Sequence, residues 1–587
     1  KHLEYGLYTA EKQQIQQKWL KLKRLGLRFQ SINGGGQEVA EEYQAVMDRV
    51  ENEPDMNERL IFYSEYIEAL FRSNSLAEKI FPILNKVKDA YHRLRTGKPT
   101  IEGRMFFRAT HQRTLEIAIL ACISYASADG HDREEWLSHL TDFLELAKGQ
   151  SLFDYLAGFN REELDSLTYS EHQEYRGKKA IFCQAMENFN DISAPLTQLQ
   201  DFEIHFRAKY FKKTASETIP TPVVRFSLPD TEDIIIINYF FFKEYTEERP
   251  GIAVVHFHDL MAVAILPSED EIAGLARQWQ KRRYKLDSAA ASLYRLLIEM
   301  PLNELKTRYP DLAPQIGGSL KAIGIIPEGI IADVPFEALG PLTEMGERLI
   351  HCHEIFYLHS LRQFKGTSGA CKPEYWCGFG APTHCFEDEM LKKHLPELPF
   401  SRQEIISIHA FFAPHCRAEM YLAEENQKDT FMKLLCSEKF PPTILHFAMH
   451  GQGDMETPEN SSLFFSTHDT NGKRINARLS FREIVNMDLR GVDLVVLSAC
   501  ESAVGKKMAG EGNQALSWAF KAAGVKHVIA SRWWINDKAA SQIMTSFYGS
   551  LLEFGNIGSS LRMAQLDFIN RHPEATAFKW SPFALYL

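Results

Sequence analysis

No Cys-x-x-Cys pair occurs anywhere in the 587 residues. The nine cysteines, at positions 122, 183, 352, 371, 377, 385, 416, 436 and 500, are scattered and odd in number. That pattern argues against a zinc site and against a disulfide framework. Cys371, Cys377 and Cys385 gather loosely around His384, but their spacing fits no ligand set, so neither metal nor cofactor is expected. A reducing, cytoplasmic setting is expected. An excess of positive charge is also missing. Against 66 Lys and Arg stand 77 Asp and Glu, a net charge of −11, and no nucleic-acid motif is visible. Long apolar runs are lacking too. The most apolar stretch, 234–242, is interrupted by Asn238 and has about half the roughly 20 residues that a membrane helix needs. It reads as a buried strand, and no signal peptide or membrane segment is expected. The chain opens at Lys1 without a Met, which leaves room for an upstream part.

What is present divides by texture. The length calls for two to four domains. Residues 1–215 carry helical stripes throughout: Ile15, Trp19 and Leu22; Tyr63, Ile67, Leu70 and Phe71; Ile80 to Leu94; Trp136 to Ala147. Asp129-Gly130 marks a tight turn between two of them. Helical hairpins in series suggest degenerate tetratricopeptide-like repeats, although no signature repeat can be quoted. A breaker-rich join, Thr218-Ile-Pro-Thr-Pro222, opens an α/β region. Residues 216–365 are expected to form one half of it, with strands at 223–228, 233–242, 251–258 and 322–326. Residues 366–587 form the other, in which strands and helices alternate and the sheet is mainly parallel.

Two apolar runs in the second half end in reactive side chains. Thr443-Ile-Leu-His-Phe-Ala-Met449 stops at His450-Gly451, and Val492-Asp-Leu-Val-Val-Leu-Ser-Ala499 stops at Cys500-Glu501. Near-continuous apolar runs are how parallel strands read when helices cover both faces. Ligand crevices of such sheets lie at the carboxyl ends of the strands, so an imidazole and a thiol are expected at one edge. A thiol near its reference pKa of about 8.5 is only a few per cent thiolate at neutral pH, and a neighbouring imidazole can take its proton during attack on a carbonyl. The backbone N–H groups of Gly451 and Cys500 are the natural oxyanion donors. The first half carries no matching Cys and His at its strand ends and is read as structural.

The ordered motifs resemble those of CHAT-domain proteins, caspase-like peptidases often fused to tetratricopeptide repeats. They are His446-Phe-Ala-Met-His-Gly451, Leu494-Val-Val-Leu-Ser-Ala-Cys-Glu-Ser502, Gly510-Glu-Gly512, Ala519-Phe-Lys-Ala-Ala-Gly524, Ala530-Ser-Arg-Trp-Trp-Ile-Asn-Asp537 and Trp580-Ser-Pro-Phe-Ala-Leu585. Earlier blocks, Ile326-Pro-Glu-Gly329, Val334-Pro-Phe-Glu-Ala-Leu339 and the junction from Leu146 to Leu156, are similar as well. The resemblance implies a clan with caspases and separase, with His450 as general base and Cys500 as nucleophile. It also implies an inactive caspase-like half at 216–365 and an active one at 366–587.

Asp537 follows Trp533 in an arrangement similar to that of separase, where an acidic residue receives a basic P1 side chain. The competing reading is that Asp537 caps the helix it begins. Glu501, Asp454 and Glu511 are the other acids near the pocket. Arg532 and Trp534 stand where the family usually has an apolar residue and often Pro. Polar segments at 453–478 and 502–513 are expected to be active-site loops that an activator orders. The resemblance further implies a protein substrate, an activating partner on the helical repeats, and a bacterial defence or cell-death setting beside a pore-forming protein or an RNA-guided effector. The rival readings are a non-catalytic scaffold and an acyl transferase that uses the same Cys–His chemistry.

Overall fold

The computed structural model describes residues 36–148 and 233–587, apart from short breaks that include 384–397, 454–460, 500–505 and 509–511, together with a few isolated positions. The stripe at Ile15, Trp19 and Leu22, the Asp129-Gly130 turn, the strand at 223–228 and most of the 146–156 junction lie outside the described residues. Two compact units are present, one of Lys1–Ala147 with Phe242–Arg249 and one of Lys148–Phe241 with Pro250–Leu587.

The first unit is helical among its described residues: α1 (Gly36–Glu51), α2 (Met56–Arg72), α3 (Ala77–Thr96), α4 (Gln112–Ala126) and α5 (Arg133–Ala147). The carboxylate of Asp55 caps α2 by accepting from the backbone N–H groups of Asn57 and Glu58. The expected stripes form the core, with Ile67, Ile80, Leu84, Val87, Tyr91, Leu140, Phe143 and Leu144 all buried. Trp136 stacks on Phe81 and on Tyr125. A partly buried pair, Lys88 with Asp142 at 2.6 Å, ties α3 to α5.

The second unit is built on one sheet of eleven strands in the order β3-β2-β1-β4-β5-β16-β15-β12-β8-β6-β7. Its strands are β1 (Ile234–Phe241), β2 (Gly251–Phe257), β3 (Leu260–Leu266), β4 (Ala322–Ile326), β5 (Glu354–Tyr357), β6 (Tyr375–Gly380), β7 (Arg417–Leu422), β8 (Ile444–Ala448), β12 (Leu494–Leu497), β15 (His527–Ser531) and β16 (Phe583–Tyr586). The expected strands at 233–242 and 251–258 are present as β1 and β2 and pair antiparallel, with Asn238 opposite Val254. From β1 through β4 and β5 to β16 neighbouring strands are parallel. From β15 through β12, β8 and β6 to β7 they are parallel again. The two groups meet antiparallel, β15 against β16. Consequently the carboxyl ends of β4 and β5 emerge on the edge opposite to those of β8 and β12.

Helices flank this sheet: α6 (Glu269–Lys281), α7 (Ser288–Tyr294), α8 (Met300–Arg308), α9 (Pro399–Phe412), α10 (Lys428–Ser437), α11 (Phe481–Val485), α12 (Leu516–Ala522), α13 (Asp537–Phe554) and α14 (Ile557–Arg571). The helical run from α7 to α8 is interrupted by a π-helical turn, Arg295–Glu299, just before Pro301. Pro301 has no N–H to give the carbonyl four residues back. The buried phenol of Tyr239 donates to that carbonyl, on Leu297, instead. Helix α12 starts at Leu516, just after Gly512–Gln514, which forms a short strand, β14, against β13 (Lys506–Met508).

The two strand groups are cross-tied by a buried charged pair. Arg532, 6% exposed, makes a two-pronged pair with Glu337, and the Tyr357 hydroxyl donates to the same carboxylate at 2.8 Å. The guanidinium lies 4.4 Å from the centre of the Tyr357 ring. Burial would depress the pKa of Arg532, but the charge of Glu337 more than offsets it and holds it above its ordinary value. The Val334–Leu339 block of the sequence thus supplies the partner for Arg532.

Candidate active site

Strand β8 lies between β6 and β12, in register with both: Phe447 is opposite Phe379 on one side and Leu497 on the other. Every residue of β8 and β12 is buried, so the apolar run is what a strand covered on both faces requires. The one polar side chain in β8 is His446, fully buried, and both ring nitrogens have partners. Nε2 lies 2.8 Å from Glu404 Oε1 on α9, and Nδ1 lies 3.0 Å from the Tyr548 hydroxyl on α13. The arrangement fits an imidazole that donates from Nε2 to the carboxylate and accepts the phenolic proton at Nδ1. His446 is therefore a hydrogen-bonded core residue.

His450 does not continue that strand. The chain bends at Met449, and His450 begins β9 (His450–Gln452) in a separate three-stranded sheet with β10 (Ser462–Phe464) and β11 (Arg478–Ser480). His450 is opposite Phe464 and Gly451 is opposite Leu463. The alternation that would have put His446 and His450 on one face is thus broken. His450 is 5% exposed and Gly451 partly exposed. Part of the expected loop at 453–478 is folded, since it supplies β10 and a turn in which Asp469 accepts from the N–H groups of Asn471 and Lys473.

On the neighbouring strand, β12 ends at Leu497, and the described chain continues through Ser498 and Ala499, both buried. Cys500, Glu501, Asp454 and Glu511 lie outside the described residues. What is brought together is His450, Gly451 and the end of the strand that leads into Cys500. Leu497 is level with Phe447, and His450 and Cys500 each follow three residues later.

Asp537 does not cap the helix it begins. The cap of α13 is Asn536, whose side chain accepts from Ala539 N–H at 3.3 Å. Asp537 is the first helical residue, half-buried, and its Oδ2 accepts from the Phe400 N–H of α9 at 2.7 Å. Burial raises the pKa of its carboxyl group; the Phe400 N–H opposes that rise and the charge of Glu404 adds to it. Next to it, Trp533 donates from Nε1 to the Phe578 carbonyl at 3.0 Å and stacks on Tyr284, while Trp534 is 53% exposed. Cys371 and Cys377 are buried, and burial pushes the Cys371 thiol up to about 12; His384 and Cys385 lie outside the described residues.

The sequence reading missed Ser401, Glu404 and Tyr548. Ser401-Arg-Gln-Glu404 looks like a capping box, yet α9 begins two residues earlier, at Pro399. The Ser401 hydroxyl donates instead to the Ala448 carbonyl and accepts from Ala381 N–H at 2.8 Å. Among the described residues no helix is long and apolar enough to cross a membrane.

Comparison with known proteins gives one family. The model of the CHAT domain matches residues 287–587. No curated protein matches the sequence. Among solved structures, the chain is similar to the Saccharomyces cerevisiae separase–securin complex, with 9% identity and a TM-score of 0.38, over 97% of this chain and 53% of that one. It thus spans about half the length of that separase chain. It is also similar to the complex of Porphyromonas gingivalis RgpB pro- and mature domains, with 9% identity and a TM-score of 0.32, over 54% of this chain and 75% of that one.

Proposed function

The chain belongs to the CHAT-domain family, and on that premise we propose that it is a regulated cysteine endopeptidase with Cys500 as nucleophile and His450 as general base. One observation carries the reading. Strands β8 and β12 are adjacent, parallel and level at Phe447 and Leu497, and an equal reach of three residues leads from each to His450 and to Cys500.

In the proposed reaction His450 takes the Sγ proton as the sulfur attacks the scissile carbonyl. A C–S bond forms, and the backbone N–H groups of Gly451 and Cys500 receive the oxyanion; losing one such donor typically raises the barrier by about 3 kcal/mol. Collapse breaks the C–N bond, and His450 returns the proton to the leaving amine. Water, activated by the same imidazole, then cleaves the thioester and frees the thiolate. The candidates for a P1-binding acid are Asp537, Glu501 and Asp454, and a carboxylate there would favour Arg by a two-pronged contact.

The substrate class is a protein, and the helical unit is the proposed seat of an activating partner, since stacked helical hairpins offer an extended face. A reducing cytoplasmic location, which follows from the cysteine usage, and a defence or cell-death role beside a pore-forming protein or an RNA-guided effector, which follows from the family resemblance alone, complete the reading. The test is labelling with a thiol-reactive electrophile over a range of pH. Cys500 is expected to react well below the pH at which an ordinary thiol does, and His450→Ala to abolish that advantage. Equal reactivity of Cys500 with and without His450 would leave a scaffold as the better reading.

A further inference from the structure

Helices α9 and α13 lie side by side over β6 and β8. They run parallel: Phe400 meets Asp537 at their starts, and Phe412 meets Tyr548 edge to face, 5.4 Å between ring centres, near their far ends. The start of α9 has an unusual deficit. Its N-cap position is Leu398, which makes no side-chain cap hydrogen bond, so the first N–H groups of the helix need partners from elsewhere. Asp537 supplies one from the start of another helix, through Oδ2 to Phe400 N–H at 2.7 Å. A carboxylate at that place also faces the positive ends of two helices.

The next residue carries the contact onward. Ser401 is 1% exposed, accepts from Ala381 N–H and donates to the carbonyl of Ala448, the last residue of β8 and two before His450. The fit there is close. A Cβ on Gly380 would come within 2.5 Å of Ile405 Cγ1 and 3.1 Å of Ser401 Oγ. One turn along α9, Glu404 holds His446, and His446 holds Tyr548 of α13. A continuous line of contacts thus joins the Asp537 carboxylate, the Phe400 N–H, the Ser401 hydroxyl and the backbone that turns into His450.

We propose that Asp537 and Ser401 are positioning residues: the Asp537 carboxylate caps α9 from α13, and the anchored Ser401 hydroxyl fixes the end of β8 and so the place from which His450 acts. This rests on the peptidase reading above for its kinetic consequence, though not for its structural one. It gives Asp537 work other than receiving a basic P1 side chain.

The experiment compares the full chain with Asp537→Ala, Asp537→Asn and Ser401→Ala. A misplaced general base costs roughly ten- to a hundredfold in rate, so Asp537→Ala and Ser401→Ala are each expected to lower kcat by about that factor with KM and P1 preference unchanged. Asp537→Asn, which keeps an acceptor for Phe400 N–H, is expected to rescue most of the loss. A P1 pocket gives the opposite pattern: Asn fails like Ala, the loss is confined to cuts after Arg or Lys, and Ser401→Ala has no effect. That pattern would overturn the proposal. Amide hydrogen exchange over residues 398–404 and 444–452 reads the same contacts without any turnover. Exchange is expected to quicken in Asp537→Ala and Ser401→Ala and to stay slow in Asp537→Asn. Unchanged exchange in both Ala variants overturns the proposal, whereas altered exchange in a protein that never cleaves would overturn the peptidase reading alone.

Discussion

At the scale of single residues, the telling group is Asp537, because burial works against its charge while the Phe400 N–H favours it. Burial raises its pKa, and Glu404 adds to the effect. A carboxyl group whose folded pKa lies above its unfolded one holds its proton more tightly in the folded protein. Its contribution to stability is therefore fullest in acid and is lost as the pH rises through the folded value. Asp537→Asn keeps the acceptor and has no charge to desolvate. Its Tm relative to the parent should climb between about pH 4 and about pH 7, and differential scanning at several pH values would check this; a difference that does not change with pH would contradict it. How far such residues were legible varies with the kind of partner they have. His450 and the approach to Cys500 could be read because each ends an apolar run. The role of Asp537 could not, because its partner is a backbone N–H 137 residues away. Ser401 and Glu404 were hidden by their likeness to a local capping box, while both in fact reach β8.

At the scale of elements, the turn at Arg295–Glu299 shows a defect being met by a neighbour. Pro301 withholds an N–H, and Tyr239 of β1 reaches across to the Leu297 carbonyl. Removing that hydroxyl in Tyr239→Phe leaves a buried acceptor short of a donor, which should cost about 1–3 kcal/mol in denaturant unfolding. A cost within error of zero would mean the carbonyl has another partner. The same scale shows what the sequence could and could not announce. Strand β4 was placed to the residue, since it has clear stops. Strand β16 was visible only as a family motif. Its four residues, Phe583–Tyr586, are too few to show a period, and their meaning comes from pairing with β15 and β5. Strand β7 alternates weakly because it is a partly exposed edge.

At the scale of the second unit as a whole, two parallel strand groups pointing in opposite directions share one sheet, joined at β15 and β16. The sequence showed two α/β runs but gave no sign of their opposed directions, which depend on where the last strand inserts. The Arg532–Glu337 pair spans the join and is buried on both sides. Glu337→Ala would leave the guanidinium buried with its main partner gone and should cost about 3–5 kcal/mol, whereas replacing both residues by apolar ones of similar volume should cost much less. A double variant that loses as much as or more than Glu337→Ala, measured by denaturant unfolding, would contradict this.

The alignment of β8 with β12 at the edge that carries His450 makes cleavage itself the decisive measurement. A diverse peptide or proteome library would be incubated with the protein, with Cys500→Ala and with His450→Ala, and the new termini read by mass spectrometry. The account predicts cuts at a defined residue that vanish in both variants. Cuts that persist without Cys500, or transfer to an added amine in preference to water, would contradict it.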